Sequence, residues 1–306
     1  GKLGLDDAVA DYLPEFADLQ VATSHQPDSD GSFPATPAVT ELKIRHLLMF
    51  SSGIGPGRQE GSALVEYWDE NGIYEQADGT LADRVTRIAA FPLLEEPGTR
   101  WRYGFSLDVL ARVIEVISGD TIGNFMQAGI LGPLDMKDTR YLPPASERAQ
   151  LATVYTQDAN GELALAPLPY DTEWTPGGGG LVSTVADYMR FALMLWNDGE
   201  YRGVRILKSE TVGMMRELHV PGGVLAEEGI EGLGWGLGVA VVADADATIT
   251  PDKNGDFWWA GYYGTTFFVS PSTGLVGVII SQNEPGEHSG LPIALYLIQG
   301  LAYAGL

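Results

Sequence analysis

The 306-residue sequence contains no cysteine, few basic residues and no long apolar run. Without cysteine it has no disulfide framework, no thiol nucleophile and no thiolate metal site, although this absence does not by itself define the compartment. Its 18 lysine and arginine residues face 41 acidic ones, and the net charge of -23 disfavours nucleic acid and anionic membranes as partners. No apolar run reaches the roughly 18 residues that a transmembrane helix needs, so we predict no membrane span. The oligomeric state is left open.

Apolar residues make up 45% of the chain, which is typical of a globular protein with a large core. Strands are predicted at 234–242, 257–269 and 275–281. A hairpin turn is predicted at 271–274, and 291–303 predicts a closing apolar helix. This order indicates an antiparallel sheet covered by helices. We therefore predict an α/β fold of the α+β type. A mainly helical domain at 1–228 precedes a sheet domain at 229–306, whose N-terminal strands the sequence does not contain.

The stretch from Glu96 to Leu110 places a tyrosine in front of a helix. Pro97 and Gly98 predict a turn, Ser106 is expected to cap the helix, and Gly119 is expected to end it. Its buried face is predicted from apolar residues at i, i+3, i+4 and i+7, namely Leu110, Val113, Ile114 and Ile117. Tyr103 is then held on a rigid base near the positive end of a helix, where a phenol can lose a proton. A half-buried structural tyrosine fits this stretch equally well.

A tyrosine that acts as a base needs a positive group beside it. Free tyrosine has a pKa of about 10, and bringing it to about 7 costs roughly 4 kcal/mol. A helix terminus supplies about 1 kcal/mol at most, so a nearby cation must supply the rest. Arg100 and Arg102 flank Tyr103, but strand-like alternation is expected to point both side chains the other way.

A glycine-rich loop at 176–180 precedes a helix that Thr184 and Asp187 are predicted to cap. A phosphate cradle would be the sharper interpretation of this loop, but no P-loop lysine follows it. We therefore predict that the glycines allow close packing of the backbone.

Three short segments carry a family resemblance. Residues 44–48 read Ile-Arg-His-Leu-Leu, residues 103–105 read Tyr-Gly-Phe, and residues 259–261 read Trp-Ala-Gly. These resemble phrases of the serine β-lactamase-like superfamily, which holds class C β-lactamases, penicillin-binding D,D-peptidases and family VIII carboxylesterases. The usual Tyr-x-Asn has Phe105 in place of Asn, and Trp-x-Gly replaces Lys-Thr-Gly or His-x-Gly. Both departures favour the esterase branch.

The resemblance implies acyl transfer on a small-molecule ester with no metal or organic cofactor. A serine attacks the ester, Tyr103 takes and returns its proton, and water releases the acyl group. The backbone N–H of Tyr262 is implied as one oxyanion donor. The residues implied in substrate binding are Phe105, Trp259, Ala260 and Gly261. His46 is interpreted as a hydrogen-bonded structural residue instead of a base, because the family's chemistry uses tyrosine.

The nucleophile of that superfamily lies in a Ser-x-x-Lys motif, and no serine in this sequence has lysine three positions on. Residues 1–16 resemble a family segment that lies shortly after that motif. We therefore expect one of three situations: the chain is a fragment, the N-terminal piece is separate, or the protein is a non-catalytic relative that binds peptidoglycan-like ligands. A β-lactamase or D-amino-acid peptidase on the same fold is the alternative enzyme.

Overall fold

A computed structural model describes residues 1–55, 62–71, 73, 79–141, 143, 145–157, 162–166, 175–226, 230–283 and 291–305. These residues form two compact units. The first comprises the described residues of Gly1–Phe125 and Thr172–Gly180, and the second those of Met126–Asp171 and Leu181–Leu306. The division into domains at 1–228 and 229–306 stays a prediction. Among the described helices, none is long and apolar enough to cross a membrane.

The α-helices of the described residues are α1 (Ile44–Leu48), α2 (Ala63–Glu70), α3 (Leu81–Ala89), α4 (Ser106–Ser118), α5 (Ile122–Met126), α6 (Val185–Trp196), α7 (Ser209–Arg216), α8 (Gly222–Ala226) and α9 (Leu291–Ala304). The strands are β1 (Gln20–Ala22), β2 (Ala35–Pro37), β3 (Arg140–Tyr141), β4 (Tyr155–Gln157), β5 (Leu163–Leu165), β6 (Leu181–Val182), β7 (Glu200–Tyr201), β8 (Val204–Arg205), β9 (Leu233–Trp235), β10 (Ala240–Val242), β11 (Phe257–Gly261), β12 (Thr265–Ser270) and β13 (Leu275–Ile279).

The first unit is organised around α4, which packs against α1 and α3. The predicted helix is confirmed, and it ends at Gly119 with φ of 75°, a left-handed conformation that glycine adopts readily. Its buried face differs in part from the prediction. Val109 and Val113 are fully buried one turn apart, whereas Leu110 and Ile114 are half-buried. The stripe therefore lies to one side of the predicted one, where α1 and α3 cover it.

The second unit contains an antiparallel sheet in the order β13-β12-β11-β10-β9, which confirms the predicted sheet type. Successive residues of a strand point to opposite faces, and β12 shows this clearly. Phe267 packs with Tyr188 of α6, whereas Phe268 stacks with Tyr303 of α9. Helices thus cover both faces of the sheet. Gly277 lies opposite Phe268, where an added Cβ would come within 2.1 Å of the phenyl ring.

Two of the three predicted strands are wrong in extent, because each is in fact two strands joined by a tight turn. The predicted strand 234–242 is divided into β9 and β10, and Gly238 in the turn has φ of 83°. The predicted strand 257–269 is divided into β11 and β12, with Gly264 at φ of 79°. Such positive φ values are open to glycine at little cost. The sheet therefore has five strands where the sequence indicates three.

Candidate active site

Tyr103 is presented on an aromatic base in the first unit. Its ring stacks on Phe50 at 4.9 Å between centroids and lies 6.4 Å from the ring of Trp101. Phe50 and Trp101 are buried, whereas Tyr103 is 44% exposed. The segment is tied down by a hydrogen bond of 2.7 Å from the N–H of Arg102 to the carbonyl of Phe50. A partly exposed phenol on a buried support can meet a substrate without losing its position.

The predicted role of Ser106 as helix cap is wrong. Phe105 occupies the N-cap position without a side-chain hydrogen bond, and Ser106 is the first helical residue. The Ser106 hydroxyl is buried and lies 2.7 Å from the hydroxyl of Ser52. Ser52 Oγ also accepts the N–H of Ile54 at 3.0 Å. The hydroxyl therefore links the start of α4 to the loop after α1 instead of capping the helix.

Two glycines allow the tyrosine segment to touch that same loop backbone to backbone. A Cβ at Gly104 would lie 2.6 Å from the carbonyl oxygen of Ile54 and 2.7 Å from Cα of Gly55. A Cβ at Gly55 would in turn lie 2.6 Å from Cα of Gly104. Real Cβ atoms do not approach backbone so closely, so the contact requires glycine on both sides. The position of Tyr103 thus depends on a residue pair that the sequence analysis did not identify.

Arg102 does not provide the cation that a tyrosine needs if it is to act as a base. Its side chain is fully buried and paired with Glu95, with Nε donating to Oε2 at 2.8 Å. This pairing agrees with the expectation that Arg102 points away from Tyr103. Its charge is already balanced by Glu95.

His46 caps the short helix α1. Its Nδ1 accepts the backbone N–H of Lys43 at 3.2 Å, which bonds a donor just before the helix. Burial and the nearby charges of Arg45 and Lys43 lower the pKa of His46. These contacts are those of the hydrogen-bonded structural histidine that the sequence predicts.

The segment that contains Trp259 forms β11 and the following turn in the second unit. Trp259 pairs with Phe267 on β12, and its ring meets Trp235 edge-on at 4.6 Å and 88°. It packs against the same core cluster as Phe257. Although the resemblance implies Trp259 in substrate binding, packing on the sheet face is part of what this ring does. Its role in substrate binding stays a prediction.

The end of β11 is exposed. Ala260, Gly261 and Tyr262 are all solvent-exposed, and the N–H of Gly264 closes the turn on the carbonyl of Gly261 at 3.0 Å. A Cβ at Gly261 would come within 2.3 Å of Oγ1 of Thr265. A side chain at position 261 would therefore require the hydroxyl of Thr265 to move, and it would also take the space of any substrate beside the strand. Tyr262 lies in the turn, not inside a strand as predicted.

The candidate residues thus fall into two groups, each described within its own unit. Tyr103 and Phe105 belong to the first unit, and the residues of 259–262 belong to the second. The first unit also contains a buried carboxylate that was not predicted from the sequence. Asp108 on α4 is 4% exposed and accepts the N–H of Gly177 at 3.1 Å. No motif marks it, because its partner lies 69 positions away in the sequence.

The predicted close packing of the glycine loop is confirmed at Gly177. A Cβ there would lie 2.0 Å from the carbonyl oxygen of Leu107 and 2.7 Å from Cβ of Ala111.

The cap of α6 is confirmed in part. Thr184 Oγ1 accepts the N–H of Asp187 at 3.2 Å, but the Asp187 carboxylate accepts the N–H of Asp138 at 2.8 Å instead of returning to Thr184.

Comparisons with known proteins agree with the resemblance seen in the sequence. The family described as Beta-lactamase matches residues 1–301. Esterase EstB of Burkholderia gladioli is 30% identical over 321 residues, which cover 97% of this chain and 75% of EstB. Among solved structures, EstCE1, described as a hydrolase with promiscuous acyltransferase activity, is 28% identical. It aligns with a TM-score of 0.78 over 98% of this chain and 78% of its own.

A more distant structure supports the fold alone. Simvastatin synthase (LovD) from Aspergillus terreus is 21% identical, with a TM-score of 0.83 over 100% of this chain and 78% of its own. The mixed α/β fold with its antiparallel sheet is thus the β-lactamase/transpeptidase-like fold. The chain belongs to the beta-lactamase family, within the serine β-lactamase-like superfamily.

Proposed function

We propose that the complete protein is a serine hydrolase of the family VIII carboxylesterase type, which cleaves small carboxylic esters through an acyl-enzyme. The observation that carries the proposal is the presentation of Tyr103, 44% exposed on the buried ring of Phe50 and just before α4. The similarity to an esterase, EstB, at 30% identity supports the ester as substrate.

In this proposal Tyr103 takes the proton of the nucleophilic serine and returns it to the leaving alcohol. The bond from serine oxygen to the acyl carbon forms as the ester C–O bond breaks, and water then hydrolyses the acyl-enzyme. The backbone N–H of Tyr262 stabilises the oxyanion, a contribution of about 3 kcal/mol in comparable sites. The exposed edge at Ala260 and Gly261 would receive the substrate, with Trp259 as an apolar wall. Phe105 is proposed as a further substrate-binding residue.

The serine and its lysine lie, in this proposal, in a segment that precedes Gly1 in the complete protein. The placement rests on the absence of Ser-x-x-Lys from this sequence and on the resemblance of residues 1–16 to a family segment that follows that motif. The chain spans 75% of EstB and 78% of EstCE1. The lysine would also supply the cation that Tyr103 needs, since Arg102 is paired with Glu95.

A fluorophosphonate probe tests the presence of an activated serine. Intact mass would be measured on the complete gene product before and after labelling. We expect a mass above the 32.8 kDa of this chain and one adduct on a serine upstream of Gly1. A mass equal to this chain without an adduct would contradict the enzyme and favour the non-catalytic ligand-binding relative.

Tyr103→Phe tests the general base. We expect kcat/KM for 4-nitrophenyl butyrate to fall about 100- to 10,000-fold, because the variant cannot accept the serine proton. Tyr67→Phe is the matched control. Tyr67 is also partly exposed, at 39%, and also rests on aromatic rings, at 5.2 Å from Phe33 and 5.5 Å from Phe91. Equal activity of Tyr103→Phe and wild type would contradict the assignment of Tyr103 as the general base.

The same assay separates the esterase from the alternative enzymes. Turnover of nitrocefin at a rate comparable to the nitrophenyl ester would favour a β-lactamase. Release of D-alanine from a peptide ending in D-Ala-D-Ala would favour a peptidase. The proposal expects neither, since Phe105 and Trp259 stand where those enzymes have Asn and Lys or His.

A further inference from the structure

Asp108 is a buried carboxylate in the first turn of α4 that the proposed chemistry does not use. It is 4% exposed, and one of its oxygens accepts the N–H of Gly177 at 3.1 Å. Burial raises the pKa of its carboxyl, while the charge of Arg84 and the N–H groups of Gly177 and Gly178 act in the opposite direction. A buried ionisable group carries a cost in free energy, so its place calls for an explanation.

Ordinary helix capping does not explain the burial of Asp108, as a comparison with helix α3 shows. Asp83 occupies the same third position of α3, but it is exposed and accepts the N–H of Thr80 at 2.7 Å in a capping box. That hydrogen bond lowers the pKa of Asp83. Asp108 instead directs its carboxylate to a loop outside its helix. The two residues share a position and differ in function.

The loop that Asp108 holds is pressed against the turn that carries it. Gly177 lies so close to α4 that a Cβ would be 2.0 Å from the carbonyl oxygen of Leu107. A Cβ at Gly178 would lie 3.6 Å from the second oxygen of Asp108, which is an ordinary van der Waals distance. The glycines bring the loop in, and the carboxylate bonds it there.

Asp108 is also tied directly to the tyrosine segment. Its N–H donates to the carbonyl of Phe105 at 3.0 Å, so the two residues share the first turn. The guanidinium of Arg84, itself 4% exposed, lies 4.7 Å from the centre of the Phe105 ring. Arg84 therefore acts on both the ring of Phe105 and the charge of Asp108, and Tyr103 lies two residues before Phe105.

We propose that Asp108 is a positioning residue that clamps the loop 176–180 to the first turn of α4 and thereby fixes Tyr103. The catalytic part of this inference rests on the proposed function, whereas the clamp itself does not. The carboxylate is suited to this task because it can accept N–H groups from the loop with both oxygens. An asparagine in its place can accept with one oxygen only.

Kinetics of Asp108→Asn and Asp108→Ala test the catalytic part. We expect kcat for 4-nitrophenyl butyrate to fall about 10-fold for Asn and up to about 100-fold for Ala, since small misplacements of a catalytic group have effects of this size. KM should stay within about twofold, because ground-state binding is not the interaction removed. The partial rescue by Asn reflects the one acceptor oxygen that it keeps.

Asp187→Asn is the matched control. Asp187 occupies the same third position of α6, is 3% exposed, and accepts the N–H of Asp138 at 2.8 Å. It belongs to the second unit, whereas the tyrosine segment belongs to the first. We expect it to lower the thermal midpoint with kcat unchanged. A loss of kcat equal to that of Asp108→Asn would overturn the positioning role.

Amide hydrogen exchange tests the clamp without any ester. In Asp108→Ala, exchange should accelerate in peptides that cover 176–180 and also in those that cover 103–107, with α6 unchanged. Faster exchange at 176–180 alone would reduce Asp108 to a local structural residue and overturn the proposal. If the wild type hydrolyses no ester, the proposed function fails, and this exchange pattern still decides whether Asp108 positions Tyr103.

Discussion

At the scale of single residues, His46 shows how an ionisable side chain can serve structure alone. Its Nδ1 accepts the N–H of Lys43 only while that nitrogen carries no proton. Burial and two neighbouring cations lower its pKa, so the neutral form is favoured in the folded protein. The family phrase at 44–48 therefore includes a histidine whose purpose is to fix the start of α1.

This arrangement predicts a loss of stability in mild acid. Because the folded pKa of His46 is depressed, its contribution is complete above the unfolded value of about 6.5 and is lost as pH falls through the folded value. His46→Gln keeps an acceptor at the same helix position without titrating. We expect the difference in urea midpoint between pH 7.5 and pH 5 to be smaller in His46→Gln than in wild type.

His219→Gln is a suitable control, since His219 is a half-buried histidine outside the segment of His46, and its ring nitrogen lies 2.9 Å from the carbonyl oxygen of Met214. It should leave the pH dependence of the wild type in place. An equal flattening in both variants would show that the acid sensitivity is not located at His46.

At the scale of elements, the turn between β11 and β12 carries the oxyanion assignment. The N–H of Gly264 bonds to the carbonyl of Gly261, which makes Tyr262 the second residue of a four-residue turn. Proline is well tolerated at that position of common turns. A proline can therefore remove the N–H of Tyr262 while the hairpin is kept.

We expect Tyr262→Pro to lower kcat for 4-nitrophenyl butyrate about 100- to 1,000-fold, as removal of one oxyanion donor does in other enzymes. Tyr262→Ala removes the exposed ring and keeps the N–H, so its loss should be much smaller. Thermal midpoints of both variants would establish that the sheet remains folded. Comparable losses in the two variants would assign the effect to the side chain and contradict the backbone donor.

The same turn explains what the sequence could and could not predict. The apolar residues of 257–269 indicate strand structure, but Tyr262 and Tyr263 continue the aromatic pattern through the turn, and only Gly261 and Gly264 mark the break between β11 and β12. The helix after Tyr103 was predictable because its signal is local. The pairs Ser52–Ser106, Gly55–Gly104 and Asp108–Gly177 were not, because each joins residues about 50 or more positions apart.

At the scale of the whole molecule, the second unit is closed by a buried acidic clamp under α9. Gln299 Nε2 donates to Asp252 Oδ1 at 2.6 Å, and the Tyr303 hydroxyl donates to Asp256 Oδ2 at 2.5 Å. Both aspartates lie in the segment between β10 and β11, and both are buried. Two of the acidic residues behind the net charge of -23 thus lie in the interior, where their carboxylates repel each other.

The acidic clamp under α9 predicts that part of the stability of the second unit is lost as pH rises. Burial, and then the charge of Asp256, raise the pKa of Asp252. A raised carboxyl pKa contributes stability that is complete below the unfolded value of about 3.9 and is lost as pH rises through the folded value. Asp252→Asn stays neutral and keeps an oxygen for Gln299. It should therefore gain in urea midpoint relative to wild type between pH 4 and pH 7.

Asp246→Asn provides the reference for this measurement, because Asp246 is an exposed aspartate in the same segment. Its midpoint should follow the wild type at both pH values, since the side chain of Asp246 lies at the surface and its substitution removes no buried group. If Asp252→Asn also followed the wild type, the carboxylate would be as well stabilised inside the clamp as in water. The hydrogen bonds from Gln299 and Thr250, together with the charge of Lys253, would then offset the cost of burying the charge of Asp252.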